Sequence, residues 1–328
     1  MKSATKLLIS SGNSSPMVFF NKDEQLENLG NQILEATWAK FPTLASHQIA
    51  LTWVVYDPPA PVNTGGALTP NAFWSHAVRG FSYRGGERIY PASVVKLFYL
   101  VVVQEWLEKG MSQTSGELDR ALTDMIVDSS NDATSLIIDI LTGTTSGPQL
   151  TPGPFETWKY QRNIINRYYQ SLGWEEMQVI NACQKTWGDG PYGRERAFYG
   201  EMFENRNMLT TDATARLLHS IVGGVAVSSV RSQSMMNLLK RSLNLEELPQ
   251  DVEEDQVTGF LGSGLPENSQ IWSKAGWTST VRHDAAYIEL PDQRPYLLVV
   301  FTEGKEQAKS KEILPFVSRR IAQAVANL

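Results

Sequence analysis

The stretch from Arg88 to Lys109 constrains the fold more than any other. It reads Arg-Ile-Tyr-Pro-Ala-Ser-Val-Val-Lys-Leu-Phe-Tyr-Leu, continues through a valine run to Trp106 and Leu107, and is followed by Gly110. Proline is tolerated only in or ahead of a first helical turn, and glycine suits a helix stop. Between Pro91 and Gly110 apolar residues cover almost every face, the pattern of a helix packed inside a protein. Ser93 and Lys96 stand in that apolar wall one turn apart, on the same helix face. A lysine among apolar groups loses solvation of its charged form, so its pKa falls and it becomes able to accept a proton from a nearby serine. A hydroxyl near a helix N-terminus also has backbone N–H groups at hand for a developing oxyanion. The plainer reading is a helix-start serine with a lysine snorkelling outward, and one short motif alone does not decide between them.

The pattern along the chain supplies the frame. Helical spacing predicts an amphipathic helix over residues 23–40, closed by Pro42. Residues 49–56 are β-branched and aromatic and predict a strand stopped by Asp57-Pro58-Pro59, with a second short strand near 73–78 and a polar connection over 80–88. Helices follow over 117–127, 133–141, 157–172, 211–222 and 233–243, interrupted by a Thr/Gly/Pro loop at 142–154 and a long irregular segment at 184–200. Strands return at 271–277, 285–290 and 296–302, the last two joined by a Pro-containing turn, and a helix over 305–328 closes the chain. Strands at both ends with helices between them predict an α/β (α+β) fold. An antiparallel sheet is built from N- and C-terminal segments and flanked by helices, with an all-α subdomain inserted. The expected division is a flexible N-terminus over 1–20, a sheet part from 21–90 and 245–328, and a helical part over 91–244, all within one domain.

Composition narrows the function classes. The 328 residues carry 35 acidic and 29 basic side chains, a net charge of −6, with no basic cluster, which argues against a nucleic-acid surface. One cysteine, Cys183, excludes an intramolecular disulfide and reads as a partly buried structural residue. His47, His76 and His219 are scattered, and no HExxH pair, Cys/His cluster or phosphate-binding Gly-Lys loop is present, so neither a metal nor another cofactor is expected. No stretch is long enough to span a bilayer. Lys2 and Lys6 precede only Leu7, Leu8 and Ile9, too short an apolar core for an export signal, which predicts a cytoplasmic location, or a periplasmic one if the start is misassigned.

Two further stretches turn the Ser93–Lys96 pair into a set. Asp128-Ser129-Ser130-Asn131-Asp132 lies between two predicted helices, and Lys274-Ala275-Gly276-Trp277-Thr278 in a predicted strand. In this order the three resemble the Ser-x-x-Lys, Ser-Asp-Asn and Lys-Thr-Gly signature of the class A β-lactamases and penicillin-binding proteins. The resemblance runs from about Ala36 to the end and implies that family's fold and acyl transfer to a small-molecule substrate. Carried over, Ser93 forms the acyl-enzyme and Lys96 accepts or orders its proton. Ser129 relays a proton to the leaving nitrogen, Asn131 bonds Lys96 or the substrate amide, and Lys274 supplies positive potential. Gly276 makes room for substrate along the strand edge, and the N–H groups of Ser93 and Trp277 form the oxyanion hole. Arg282 is the candidate for a substrate carboxylate, with a surface ion pair to Asp284 as the equal alternative. Residues 128–132 are also good helix-capping chemistry in their own right.

Three departures from the pattern matter. Ser130 stands where the family has aspartate, and Ala275 replaces the hydroxyl residue that would bind a carboxylate. The Glu-x-x-Leu-Asn loop that activates the deacylating water has no counterpart, leaving Glu195, Glu201 and Glu204 as candidates by location only, each read first as a solvated charge. The resemblance therefore implies a β-lactam or related amide hydrolase, with a D-alanyl peptidase, an esterase or a non-turnover module for cell-wall fragments as alternatives.

Overall fold

Runs of β-branched and aromatic residues pair into one sheet whose two faces carry separate cores. The computed structural model describes residues 19–57, 68–244 and 255–328. Its strands are β1 (Phe20–Lys22), β2 (Ile49–Val55), β3 (Val78–Tyr83), β4 (Lys240–Arg241), β5 (Gln270–Trp277), β6 (Val281–Glu289) and β7 (Tyr296–Glu303). They lie in the order β1-β3-β2-β7-β6-β5-β4. Every pairing is antiparallel except the short parallel one between β1 and β3, so the sheet is mixed at one edge. N- and C-terminal segments meet at β2 and β7, where Trp53 faces Leu298.

Around the sheet run α1 (Glu24–Lys40), α2 (Pro70–Ser75), α3 (Lys96–Glu108), α4 (Gly116–Ile126), α5 (Asn131–Thr142), α6 (Pro152–Arg162) and α7 (Ile164–Ser171). They are followed by α8 (Gly193–Tyr199), α9 (Thr211–Val222), α10 (Ser229–Leu239), α11 (Lys305–Lys309) and α12 (Ile313–Val325). Alternation along β5, β6 and β7 sends Ile271, Ala275, Ala286, Ile288, Leu298 and Val300 to a core shared with α1 and α12. The opposite face sends Ala285, Tyr287, Leu297, Val299 and Phe301 into the larger core of the helical region. At the centre of that core lies α3, with every residue from Lys96 to Gln104 buried. Among the described residues no helix is long and apolar enough to cross a membrane.

Several local expectations are corrected. Residues 70–75 form α2, started by Pro70 and by the Thr69 side chain accepting from the Ala72 N–H at 3.3 Å, and the strand comes later, at Val78–Tyr83, running into the first residues of the stretch read as a connection. Gly80 and Ser82 mask its alternation. The helix expected over 157–172 is two, α6 and α7, parted at Asn163. The irregular segment 184–200 ends in α8, strand β6 begins four residues early at Val281, and the closing helix is split into α11 and α12. Phe20, assigned to a flexible N-terminus, is buried in β1, while residues 1–18 and the Pro58-Pro59 turn lie outside the described residues.

Candidate active site

The predicted helix from Pro91 begins as a 3₁₀ turn, Ala92–Val95, that continues into α3 at Lys96. Ala92 takes φ +45°, a left-handed conformation costly for a residue with a Cβ, immediately before the half-buried Ser93. Gly276 on β5 is what allows the turn to sit there. A Cβ at 276 would lie 2.7 Å from the Pro91 carbonyl oxygen and 2.8 Å from the backbone nitrogens of Ser93 and Val94. The missing side chain thus makes room for the turn carrying Ser93. Gly276→Ala is expected to push that turn aside and lower kcat/KM on an ester or amide reporter by about 100-fold, the scale of a 1 Å misplacement. Steady-state kinetics beside a thermal melt check it; a variant with unchanged kcat/KM would refute the assigned packing.

One turn on, Lys96 is fully buried. Its ammonium donates to the Ser129 carbonyl, to Ser129 Oγ at 3.2 Å and to Asn131 Oδ1 at 3.0 Å. Burial lowers its pKa to about 7. Both readings of residues 128–132 hold together. Ser130 is the N-cap of α5, its hydroxyl accepting from the Ala133 N–H at 3.1 Å, and this turn aims the residues on either side of it at Lys96. Ser129 is itself left-handed, at φ +59°.

Lys274, on the strand face that looks toward the helical core, completes the cluster. It is fully buried and donates to Ser129 Oγ at 3.0 Å, to its neighbour's carbonyl, Ala275 O, at 2.8 Å, and to Gln256 Oε1. Burial, then the nearby charges of Lys96 and Arg241, hold its pKa well below the usual lysine range, against a weaker opposing pull from Asp284. Ser129 Oγ is thus shared by two lysines. With both of its acceptor positions taken by amine donors, its single O–H is left to donate toward the open side. A cleft of about 600 Å³ lined by Ser130, Asn131, Asp132 and residues 187–192 lies next to this loop in sequence, though Ser129 itself is not among its walls.

Three bracing residues had no signal in the sequence. Gln256 donates through Nε2 to the carbonyls of Ile126 (3.0 Å) and Val127 (2.6 Å), while its Oε1 accepts from Lys274 and from the Ala275 N–H at 3.3 Å. The Ala275 N–H therefore points to the outer edge of β5, and alternation places the N–H of Trp277 on the same edge. His283 donates from Nε2 to Tyr90 O at 2.9 Å and accepts the Thr302 N–H at Nδ1, 3.0 Å. Burial lowers its pKa to about 4, so it is a neutral strut under the approach to Ser93. Arg206 stacks on the Tyr90 ring with its guanidinium carbon 3.4 Å from the centroid.

Other candidates are placed elsewhere. Arg282 falls on the opposite face of β6 from His283, because β6 starts at Val281 and side chains alternate. It is buried, with Nε bonded to Ala308 O at 3.0 Å and its guanidinium over Phe260, so it is neither a carboxylate receptor in the site nor a surface partner of Asp284. Glu195 is fully buried and holds Arg162 through two bonds of 2.7 and 2.8 Å, with Ser146 Oγ donating at 2.8 Å. Glu201 is exposed, and Glu204 caps the Met202 N–H and lines a different cleft, beside Lys159 and Arg167. None of the three glutamates is bonded to Lys96, Ser129 or Lys274. The Ala275 side chain packs into the core shared with α1 and α12, so that residue meets the site through its backbone. Trp277 packs toward the same core, against Phe260. Cys183 is buried and its thiol pushed up to about 12, chiefly by that burial. Among the described residues no cluster of three His, Cys, Asp or Glu side chains is placed to hold a metal ion.

A family model described as "Beta-lactamase enzyme family" matches residues 112–325, which include the Ser129 loop and the Lys274 strand. The chain belongs to this β-lactamase family. Solved structures share the fold over nearly its whole length. The structure of PBP-A is 18% identical with a TM-score of 0.60, covering 94% of this chain and 98% of that one. A PBP-A variant solved as an acyl-enzyme complex with penicillin G is 17% identical with a TM-score of 0.61, over the same shares. A β-lactamase from Sphaerobacter thermophilus is 18% identical with a TM-score of 0.58, covering 91% of this chain and 98% of that one. No curated protein sequence matches. As a member of this family of β-lactamase-like and penicillin-binding-protein-like serine hydrolases, the chain carries the mixed α/β fold of its relatives.

Proposed function

We propose that the protein is an acyl-transfer hydrolase that works through an ester on Ser93. The observation that carries this is the Ser129 hydroxyl, held at 3.2 Å by Lys96 and 3.0 Å by Lys274, with Lys96 one turn from Ser93. In the forward step Ser93 Oγ bonds to the carbonyl carbon of an amide or ester and its proton passes to neutral Lys96. Ser129 gives a proton to the leaving nitrogen or oxygen and is resupplied from its lysine partners as the scissile bond breaks. The N–H groups of Ser93, in the first turn, and of Trp277, on the β5 edge, take the oxyanion. Water then hydrolyses the ester and returns Ser93. A β-lactam or related amide is the donor suggested by the family, and a PBP-A variant was captured acylated by penicillin G. D-alanyl peptides and simple esters are the other donors the resemblance offers. The engagement of Glu195 with Arg162, and the position of Glu201 and Glu204 away from Lys96, favour slow deacylation and a long-lived acyl-enzyme.

The pH dependence of acylation tests the role of Lys96. Acylation needs its neutral form, so with a pKa lowered to about 7 the single-turnover rate rises with pH through about 7 and levels off above it. Two units below the inflection the rate is down roughly 100-fold. Because Lys96 and Lys274 share Ser129, the inflection belongs to the pair. Stopped-flow acylation from pH 5 to 10 reads it. A rate climbing unbroken to pH 10 would mean an ordinary solvated lysine and would overturn the proposed role.

A further inference from the structure

An ammonium has three N–H groups, and in their charged forms the two buried lysines of this site point theirs at neutral acceptors. Lys274 gives its three to Ser129 Oγ, Ala275 O and Gln256 Oε1, and Lys96 gives its three to Ser129 O, Ser129 Oγ and Asn131 Oδ1. Arg241, beside them, is bonded to the carbonyls of Ser273 (3.0 and 3.2 Å), Ile126 (2.8 Å) and Val127 (3.5 Å). Of the basic side chains on β6, the strand beside Lys274, Arg282 lies on the far face of the sheet and His283 has both ring nitrogens engaged by backbone.

Gln256 is the group that closes the site to anions. Its Oε1 sits against both Lys274 Nζ and the outward N–H of Ala275, a cation and an edge donor converging on one oxygen. Such a convergence suits a carboxylate oxygen, and here a neutral amide oxygen of the protein fills it. The amide cannot easily swing away, since its Nε2 is tied to two carbonyls at the end of α4 and the residue is buried.

Building on the proposed acyl transfer, we infer that Gln256 is a specificity-determining residue that directs Ser93 to acyl donors carrying no carboxylate beside the scissile bond, such as uncharged esters and amides. A carboxylate-bearing donor has to displace the amide or remain unpaired in a desolvated site, and either cost is paid by that donor alone.

A penicillin and its methyl ester, which differ only in whether the carboxylate is blocked, test this by intact-protein mass against time. The unmodified protein is expected to be acylated about tenfold faster or more by the methyl ester. Gln256→Ala is expected to erase or invert that ratio by freeing Lys274 and the Ala275 N–H. Gln256→Glu, which puts an anion in the same place, is expected to widen it. A merely structural role would slow both compounds together and leave the ratio fixed. Faster labelling of the unmodified protein by the free acid, or a ratio unmoved in both variants, overturns the inference while leaving the acyl-enzyme reading intact. Labelling by neither compound overturns the acyl-enzyme reading itself.

Discussion

Glu195→Ala is expected to cost about 3–5 kcal/mol of folding stability, as expected when a buried ion pair loses one partner. Arg162 and Glu195 are both fully buried, and the carboxylate meets the guanidinium through two parallel bonds. Around them Lys185 donates to Asp139 Oδ2 and Ser146 Oγ, each at 2.8 Å, so two cations and two anions are balanced in one place. This cluster ties α6, α8 and the 184–195 segment to Asp139 of α5, the helix whose N-terminal end carries Ser129 and Asn131. Removing Glu195 leaves the Arg162 charge without its main partner and away from water. Urea unfolding measures the loss. Pairing Glu195→Ala with Arg162→Met should cost less than the sum of the two single changes, because the orphaned charge goes with its partner. A loss under about 1 kcal/mol would show that the pair is not the anchor its burial implies.

What was legible in the sequence follows from which contacts are local. The placing of Ser93 on the turn just ahead of the buried Lys96 needs only a three-residue spacing inside an apolar run, and the motifs that carry Ser129 and Lys274 to Lys96 stand in a fixed order. The overall plan, end strands meeting in one sheet around a helical middle, was legible because β2, β5, β6 and β7 are long and β-rich. β3 was not, because Gly80 interrupts it for a reason found only in three dimensions: a Cβ there would lie 2.5 Å from the Phe20 ring of β1. Arg282 was misplaced by parity. Once β6 begins at Val281, each side chain's face is set by a count of one, and the strand start is the least certain part of a sequence reading. Glu195 gave no sign of burial because its partner is 33 residues away. Gln256 sits in a polar loop and makes its contacts 18 and about 130 residues distant.

Ser93→Ala is expected to remove acylation altogether and lower kcat/KM by about 10⁴-fold or more, the scale seen when a nucleophile is deleted from a unit that acts together. The buried lysines, the Ser129 hydroxyl and the N–H groups all remain in that variant, so the fold and any non-covalent binding should persist while the ester has no oxygen to form on. The left-handed Ala92 and the tight seat on Gly276 hold the 93 position whether or not the hydroxyl is present. The direct measurement is covalent mass. The protein is incubated with an uncharged penicillin ester at pH 8, quenched in acid, weighed intact and digested with trypsin, which cuts after Arg88 and Lys96 and so isolates residues 89–96. The account predicts one acyl group per chain, on that peptide, absent from Ser93→Ala. An adduct on another peptide, or an equal adduct on the Ser93→Ala variant, would contradict it.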